Sequence, residues 1–155
     1  MIHPSMIYGI QEEKTVSRLL DWVKTRSWVP LPGGGYSLVQ PAYSEDIVQA
    51  FYESIFNEKM LNQSFVVAAH QPLSYREMII DCALLQGRKV KVVNVPGVAM
   101  LFGARLLQWT PLKNKLKPDQ VKRLMENKNF DVTPIEKILG RSMHTFMEGL
   151  AKIRN

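Results

Sequence analysis

The sequence holds a single cysteine, Cys82, so no internal disulfide can staple the fold, and a reducing compartment suits it. Cys82 falls inside a helical pattern with no neighbour that would lower its pKa. That favours a small buried apolar role over a catalytic thiol. No apolar run approaches the roughly 20 residues that cross a bilayer. Met1-Ile2-His3-Pro4 also lacks the charged start of a signal peptide, and the chain reads as cytoplasmic. His3, His70 and His144 lie far apart with no Cys/His spacing around them, which leaves zinc chemistry without ligands and metal sites with no candidate. No G-x-G-x-x-G follows a strand pattern, so the chain carries no dinucleotide fingerprint of its own.

What is present describes a globular α/β protein. At 155 residues, 46% hydrophobic and 22% charged, the chain can bury one core of ordinary size and is neither disordered nor collagen-like. The formal charge of +6 permits attraction to phosphates, nucleic acid or anionic lipid without choosing among them. Lys113, Lys115, Lys117, Lys122, Arg123 and Lys128 make the densest basic stretch, which reads as the solvated face of a linker and helix. No zinc knuckle or base-stacking aromatic pair accompanies it, so a nucleic-acid function would rest on charge alone.

Along the chain, residues 1 to 9 read as a buried parallel strand stopping at Gly9, and such a strand needs neighbours on both sides. Those neighbours are missing from the sequence before it, so a part of a larger fold is expected. Val16, Leu19, Leu20 and Val23 give an amphipathic helix over Glu12 to Arg26, ending before Trp28-Val29-Pro30. Leu31 to Gly35 is expected to be a loop, and Ser37 to Ala42 a short extended segment because Pro41 suits an edge. Ser44 is expected to cap a helix with Glu45 and Asp46 in its first turn and an apolar stripe of Ile47, Val48, Phe51 and Ile55. A helix start explains both acids without any substrate.

Gln63 to Ala68 reads as a strand, Ser74 to Glu77 as a capping box, Met78 to Leu85 as a helix that Gly87 ends, and Lys89 to Val95 as a half-buried strand. Gly97 to Trp109 is apolar apart from Arg105, so it is either a core helix or a surface helix meant for a partner. A helix from near Pro118 to Glu126, a second capping box at Thr133-Pro134-Ile135-Glu136, a stop at Gly140 and a last helix over Ser142 to Ile153 complete the pattern. Strands alternating with helices argue for α/β.

Ile2-His3-Pro4-Ser5-Met6-Ile7-Tyr8-Gly9, Leu31-Pro32-Gly33-Gly34-Gly35 and Tyr43-Ser44-Glu45-Asp46-Ile47 together resemble the C-terminal half of extended short-chain dehydrogenase/reductases, the NAD(P)-dependent epimerase/dehydratase family. Residues 63 to 155, with Phe130-Asp131 in the closing segment, follow the same order. The resemblance implies the C-terminal part of a Rossmann-like fold: the last parallel strands plus a small α/β substrate-binding subdomain, residues 1–155 forming one domain or fragment without the N-terminal dinucleotide-binding half. It implies that Pro4, Ser5 and Met6 line the nicotinamide of NAD or NADP, with a core role the alternative for Met6. Tyr8, at a strand's C-terminal end, and the turn at Gly34 and Gly35 would meet substrate. Gln40 and Tyr43 either face the substrate cleft or serve packing and turns.

No catalytic residue is assigned within the chain. None of its tyrosines is followed four residues later by lysine, so the family's Tyr-x-x-x-Lys pair is absent, as is its Gly-rich loop. Where many sugar-nucleotide epimerases carry asparagine the chain has Met6, and where they carry an arginine before an aspartate it has Val39-Gln40. Both departures remove contacts to a diphosphate. His3 takes the place usually held by arginine, and an atypical branch of the family fits best.

The expected function is therefore the substrate-binding part of an NAD(P)-dependent epimerase/dehydratase-like oxidoreductase, inactive alone and binding no cofactor tightly by itself. Its partners would be an N-terminal Rossmann half or a second copy, and a small substrate such as a nucleotide sugar. The alternative is a non-catalytic assembly module whose apolar stretch Val95 to Leu112 and basic segment meet a protein or an anionic membrane.

Overall fold

The computed structural model describes residues 1–10, 15–107 and 118–153. The chain order is β1 (Ile2–Pro4), β2 (Ile7–Tyr8), α1 (Thr15–Thr25), β3 (Trp28–Pro32), β4 (Leu38–Val39), β5 (Ala42–Tyr43), α2 (Ser44–Phe56), β6 (Phe65–Val67), β7 (Leu73–Ser74), α3 (Tyr75–Leu85), β8 (Lys91–Val95), α4 (Gly97–Leu107), α5 (Pro118–Arg123), α6 (Thr133–Leu139) and α7 (Phe146–Ile153). The sequence-expected positions Glu12, Trp109, Leu112, Lys113, Lys115 and Lys117 lie outside the described residues.

Three of the four ladders are parallel. β1 pairs with β6 from Ile2↔Phe65 to Pro4↔Val67, β2 with β5 at Tyr8↔Tyr43, and β3 with β8 from Trp28↔Lys91 to Pro32↔Val95. Only β4 and β7 run antiparallel. The opening strand is thus two pieces rather than one. The Ser5 N–H still donates to the Val67 carbonyl, at 3.0 Å, but the Met6 carbonyl accepts from Ala42, at 2.8 Å, so the chain changes partner between these two residues.

Two apolar clusters follow. One gathers Tyr8, Val16, Val23, Leu31, Met78, Ile79, Cys82 and Leu150 between α1, α3, α7 and the β3–β8 pair. The other gathers Ile47, Ala50, Phe65, Val67, Ile135 and Met143 beneath α2, α6 and β6. Val16 and Val23, one and zero per cent exposed, are the inward stripe of α1 and contribute about 1.5–3 kcal/mol each. Cys82 is fully buried among apolar neighbours, which pushes its thiol up to about 12.

Several local expectations are corrected. Leu31 and Pro32 belong to β3 rather than to a loop, and the turn is confined to Gly33–Gly35. The Ser27 carbonyl accepts from Lys91 in β8, so Val29 and Leu31 share its direction. Trp28, Pro30 and Pro32 alternate away, and the prolines remove N–H groups only on the side turned from β8. Ser44 does not cap α2: it is the first helical residue, and its hydroxyl donates to the Gly9 carbonyl. The apolar stripe of α2 is likewise not buried as a whole. Asp46, Ile47 and Ala50 face inward, while Val48, Phe51, Tyr52, Ile55 and Phe56 are half or more exposed.

α5 ends at Arg123. Val132, not Thr133, precedes α6, and Glu136 turns away from the helix start. The last helix begins at Phe146, four residues later than its pattern suggests, because Thr145 and Glu148 form the reciprocal cap there. Ser74 and Glu77 cap α3 as the sequence indicates, and Gly140 ends α6 in the left-handed conformation.

Candidate functional site

Of the residues expected beside cofactor, Pro4 ends β1 exposed, while Ser5 and Met6 are half-buried at the point where the chain changes strand partner. The Ser5 hydroxyl donates to the Gln40 carbonyl, which fixes this crossing to the β4–β5 segment. Within the described residues β1 is hydrogen-bonded to β6 alone, so the other edge of Ile2–Pro4 has no strand partner up to the point where Met6 takes up Ala42.

The structure places Tyr8 in the core. It is fully buried, its hydroxyl donates to the carbonyl of Phe146 at 3.3 Å, and its ring packs against Tyr43 and Phe146 at 5.5 and 5.2 Å. Burial drives its phenol well above the ordinary value, with the nearby Asp46 adding to the shift. Its hydroxyl is thus committed to the start of α7. Gln40, one per cent exposed, is equally committed. Its Nε2 donates to Ala69 O at 2.6 Å and Phe130 O at 3.3 Å, and its Oε1 accepts from Phe130 N at 2.7 Å, so one amide ties the segments after β4 and β6 to the one before α6. Tyr43 is five per cent exposed, with Lys152 over its ring at 5.7 Å and its hydroxyl 3.4 Å from Glu45 Oε1.

Gly34 and Gly35 sit in the tight turn after β3, and both have φ of +75°. Both are buried, and a Cβ at Gly35 would run into Leu31 and lie 3.2 Å from the Arg76 amide nitrogen. Glycine is thus required here by close approach to the start of α3 as well as by backbone conformation. The other face of Leu31 borders an apolar cavity of about 460 Å³ bounded by α1, β3, α3, α4 and α5. Trp22, Pro30, Met78 and Met100 supply its apolar wall, and Arg18 is its charged side chain among the described residues. None of the eight residues expected at a cofactor or substrate lines it. Its volume suits a small-molecule ligand.

A second constellation escaped sequence reasoning. The Asp46 side chain, one per cent exposed, receives Arg141 Nη2 at 2.7 Å, His144 Nδ1 at 2.8 Å and the His144 N–H at 2.9 Å. Glu136 Oε1 lies 2.7 Å from His70 Nδ1 and accepts from Met143 N at 2.8 Å. The two acids thereby grip the 141–144 turn from opposite sides. The available signal was faint: Asp46 shares the inward face of α2 with Ile47 and Ala50. Its partners lie some 95 to 98 positions away. No group of three His, Cys, Asp or Glu side chains among the described residues could hold a metal.

No family model matches the sequence, and no curated protein matches it either. Solved structures do. UDP-N-acetylglucosamine 4-epimerase from Bacillus cereus superposes with a TM-score of 0.66 at 12% identity, over 98% of this chain and 44% of that one. dTDP-4-dehydrorhamnose reductase from Bacillus anthracis, in complex with NADP, gives 0.64 at 16%, over 99% and 47%. MoeE5 in complex with UDP-glucuronic acid and NAD gives 0.63 at 18%, over 99% and 45%. The chain has the fold of the C-terminal half of an extended short-chain dehydrogenase/reductase. This half-fold spans less than half the length of each of these proteins. No helix among the described residues is long and apolar enough to cross a membrane.

Proposed function

We propose that this chain is the substrate-binding portion of an NAD(P)-dependent epimerase/dehydratase-like oxidoreductase, completed by a dinucleotide-binding half. What carries the reading is the edge of β1 that no described strand covers, leading into the Pro4-Ser5-Met6 crossing, in a chain whose structural neighbours include proteins solved with NADP or NAD. The described residues suit the nicotinamide end of such a cofactor: Pro4 and Met6 offer an apolar edge to a flat ring, and none of the described residues forms a cradle for a pyrophosphate. When bound, NAD(P) would supply hydride transfer. The chain's own part is to bind, orient and keep dry: Gln40 and Ser5 fix the crossing, Tyr8 supports it, and the Gly34-Gly35 turn shapes the entrance beside the apolar cavity.

A nucleotide sugar is the first substrate class to test, since UDP-glucuronic acid occupies MoeE5. Saturation-transfer NMR with UDP-glucuronic acid and the chain alone is expected to mark ligand protons, and Gly35→Val is expected to abolish the effect. The chain alone is expected neither to retain NAD(P)H nor to oxidise it. Turnover by the isolated chain with any sugar or carbonyl substrate would overturn the half-enzyme reading.

A further inference from the structure

We propose that α4 and α5 form a docking surface for an anionic membrane, independent of the oxidoreductase reading. α4 carries one charge in eleven residues, yet it is not a core helix. At 100° per residue, Met100 and Ala104 occupy one side, where Met100 closes the apolar cavity and Ala104 is fully buried. Val98, Phe102 and Leu106 recur every four residues on the opposite side and are 80, 64 and 56% exposed. A stripe of three large apolar side chains facing water costs solubility and marks an interaction surface.

Charge identifies the occupant. Arg105 falls on the same side of α4 as the stripe, and with Lys122 of α5 it lines the same depression of about 220 Å³ as Val98 and Phe102. Neither cation takes part in an ion pair among the described residues, not even with Asp119, the acid one turn before Lys122. Arg123 adds a further exposed cation on α5. A partner matching this face must accept apolar side chains and present negative charge around them. The headgroup region of an anionic bilayer does both, and a short helix lying in the interface buries such a stripe to about 5–10 Å. The eleven described residues of α4 fall short of the roughly 20 that cross a bilayer, and the contact proposed is peripheral.

Flotation of the whole chain with phosphatidylcholine vesicles, with and without phosphatidylglycerol, tests this. Binding is expected with the anionic vesicles only, and added salt should weaken it. Arg105→Gln with Lys122→Gln should lower the partition coefficient roughly 25-fold, at about fivefold per cation. Phe102→Asp should lower it at least on the order of tenfold. Phe51→Asp, on the equally apolar but unrelated face of α2, should leave it unchanged. All these side chains are exposed, so circular dichroism and melting should confirm that each variant folds. Absence of flotation, equal binding to neutral vesicles, or binding lost in Phe51→Asp and retained in Phe102→Asp would overturn the proposal.

Discussion

Asp46 shows how much a single side chain can hold. Its carboxylate is almost wholly removed from water and is kept there by a guanidinium, an imidazole and a backbone N–H. Asp46→Ala would leave Arg141 and His144 without their anion and is expected to cost about 3–5 kcal/mol, the range for breaking a buried pair. Against a total stability of about 5–15 kcal/mol, that should show as a large fall in melting temperature. From the sequence the same residue reads only as an acid in a first helical turn. That reading is correct but incomplete, because a contact across 98 positions leaves no periodic trace. Gly35 was legible as a turn residue, whereas its clash with Leu31 and the Arg76 amide was not. Gly35→Ala places a side chain at φ +75° and is expected to lower stability by about 1–3 kcal/mol, measurable by urea titration.

At the scale of elements, some local readings held and others, such as the Ser44 cap and the Thr133–Glu136 box, did not. The inward valines of α1, the cap of α3 and the left-handed stop at Gly140 each rest on neighbours within a few residues. Tertiary pairing overrode a local signal in β3, whose prolines point away from β8, whereas the start of α7 at Phe146 is set by a local signal that was overlooked, the Thr145-x-x-Glu148 box. The two reciprocal caps predict a pH dependence. Glu77 is held below the ordinary carboxylate value by the Ser74 N–H and hydroxyl, and Glu148 likewise by those of Thr145. A depressed carboxyl stabilises the fold above its unfolded pKa, and that contribution is lost as pH falls through the folded one. Glu77→Gln should therefore melt below the wild type at neutral pH, and the gap should close progressively on acidification. Ser74→Ala should cost about 1 kcal/mol at neutral pH.

At the scale of the whole molecule, the distribution of apolar surface is the feature that composition conceals. On α2 the inward face holds Asp46, Ile47 and Ala50, while Phe51, Tyr52, Ile55 and Phe56 lie outside at 50, 60, 74 and 68% exposure. A helix whose larger apolar side chains face outward is built to be covered, and β1, packed against α2, has an edge that no strand among the described residues covers. Both features suit the proposed dinucleotide-binding half, since a parallel sheet is stable only when its edge strands gain partners and its faces gain helices. The isolated chain should therefore self-associate as concentration rises, with a mass from light scattering that climbs above the monomer. Phe51 and Ile55 are 50 and 74% exposed, so replacing both by glutamate should hold the melting temperature near the effect of about 0.5 kcal/mol usual for surface changes. The same double variant should shift the scattering mass back to the monomer, whereas a clean monomer in the unmodified chain at high concentration would show that this face needs no cover.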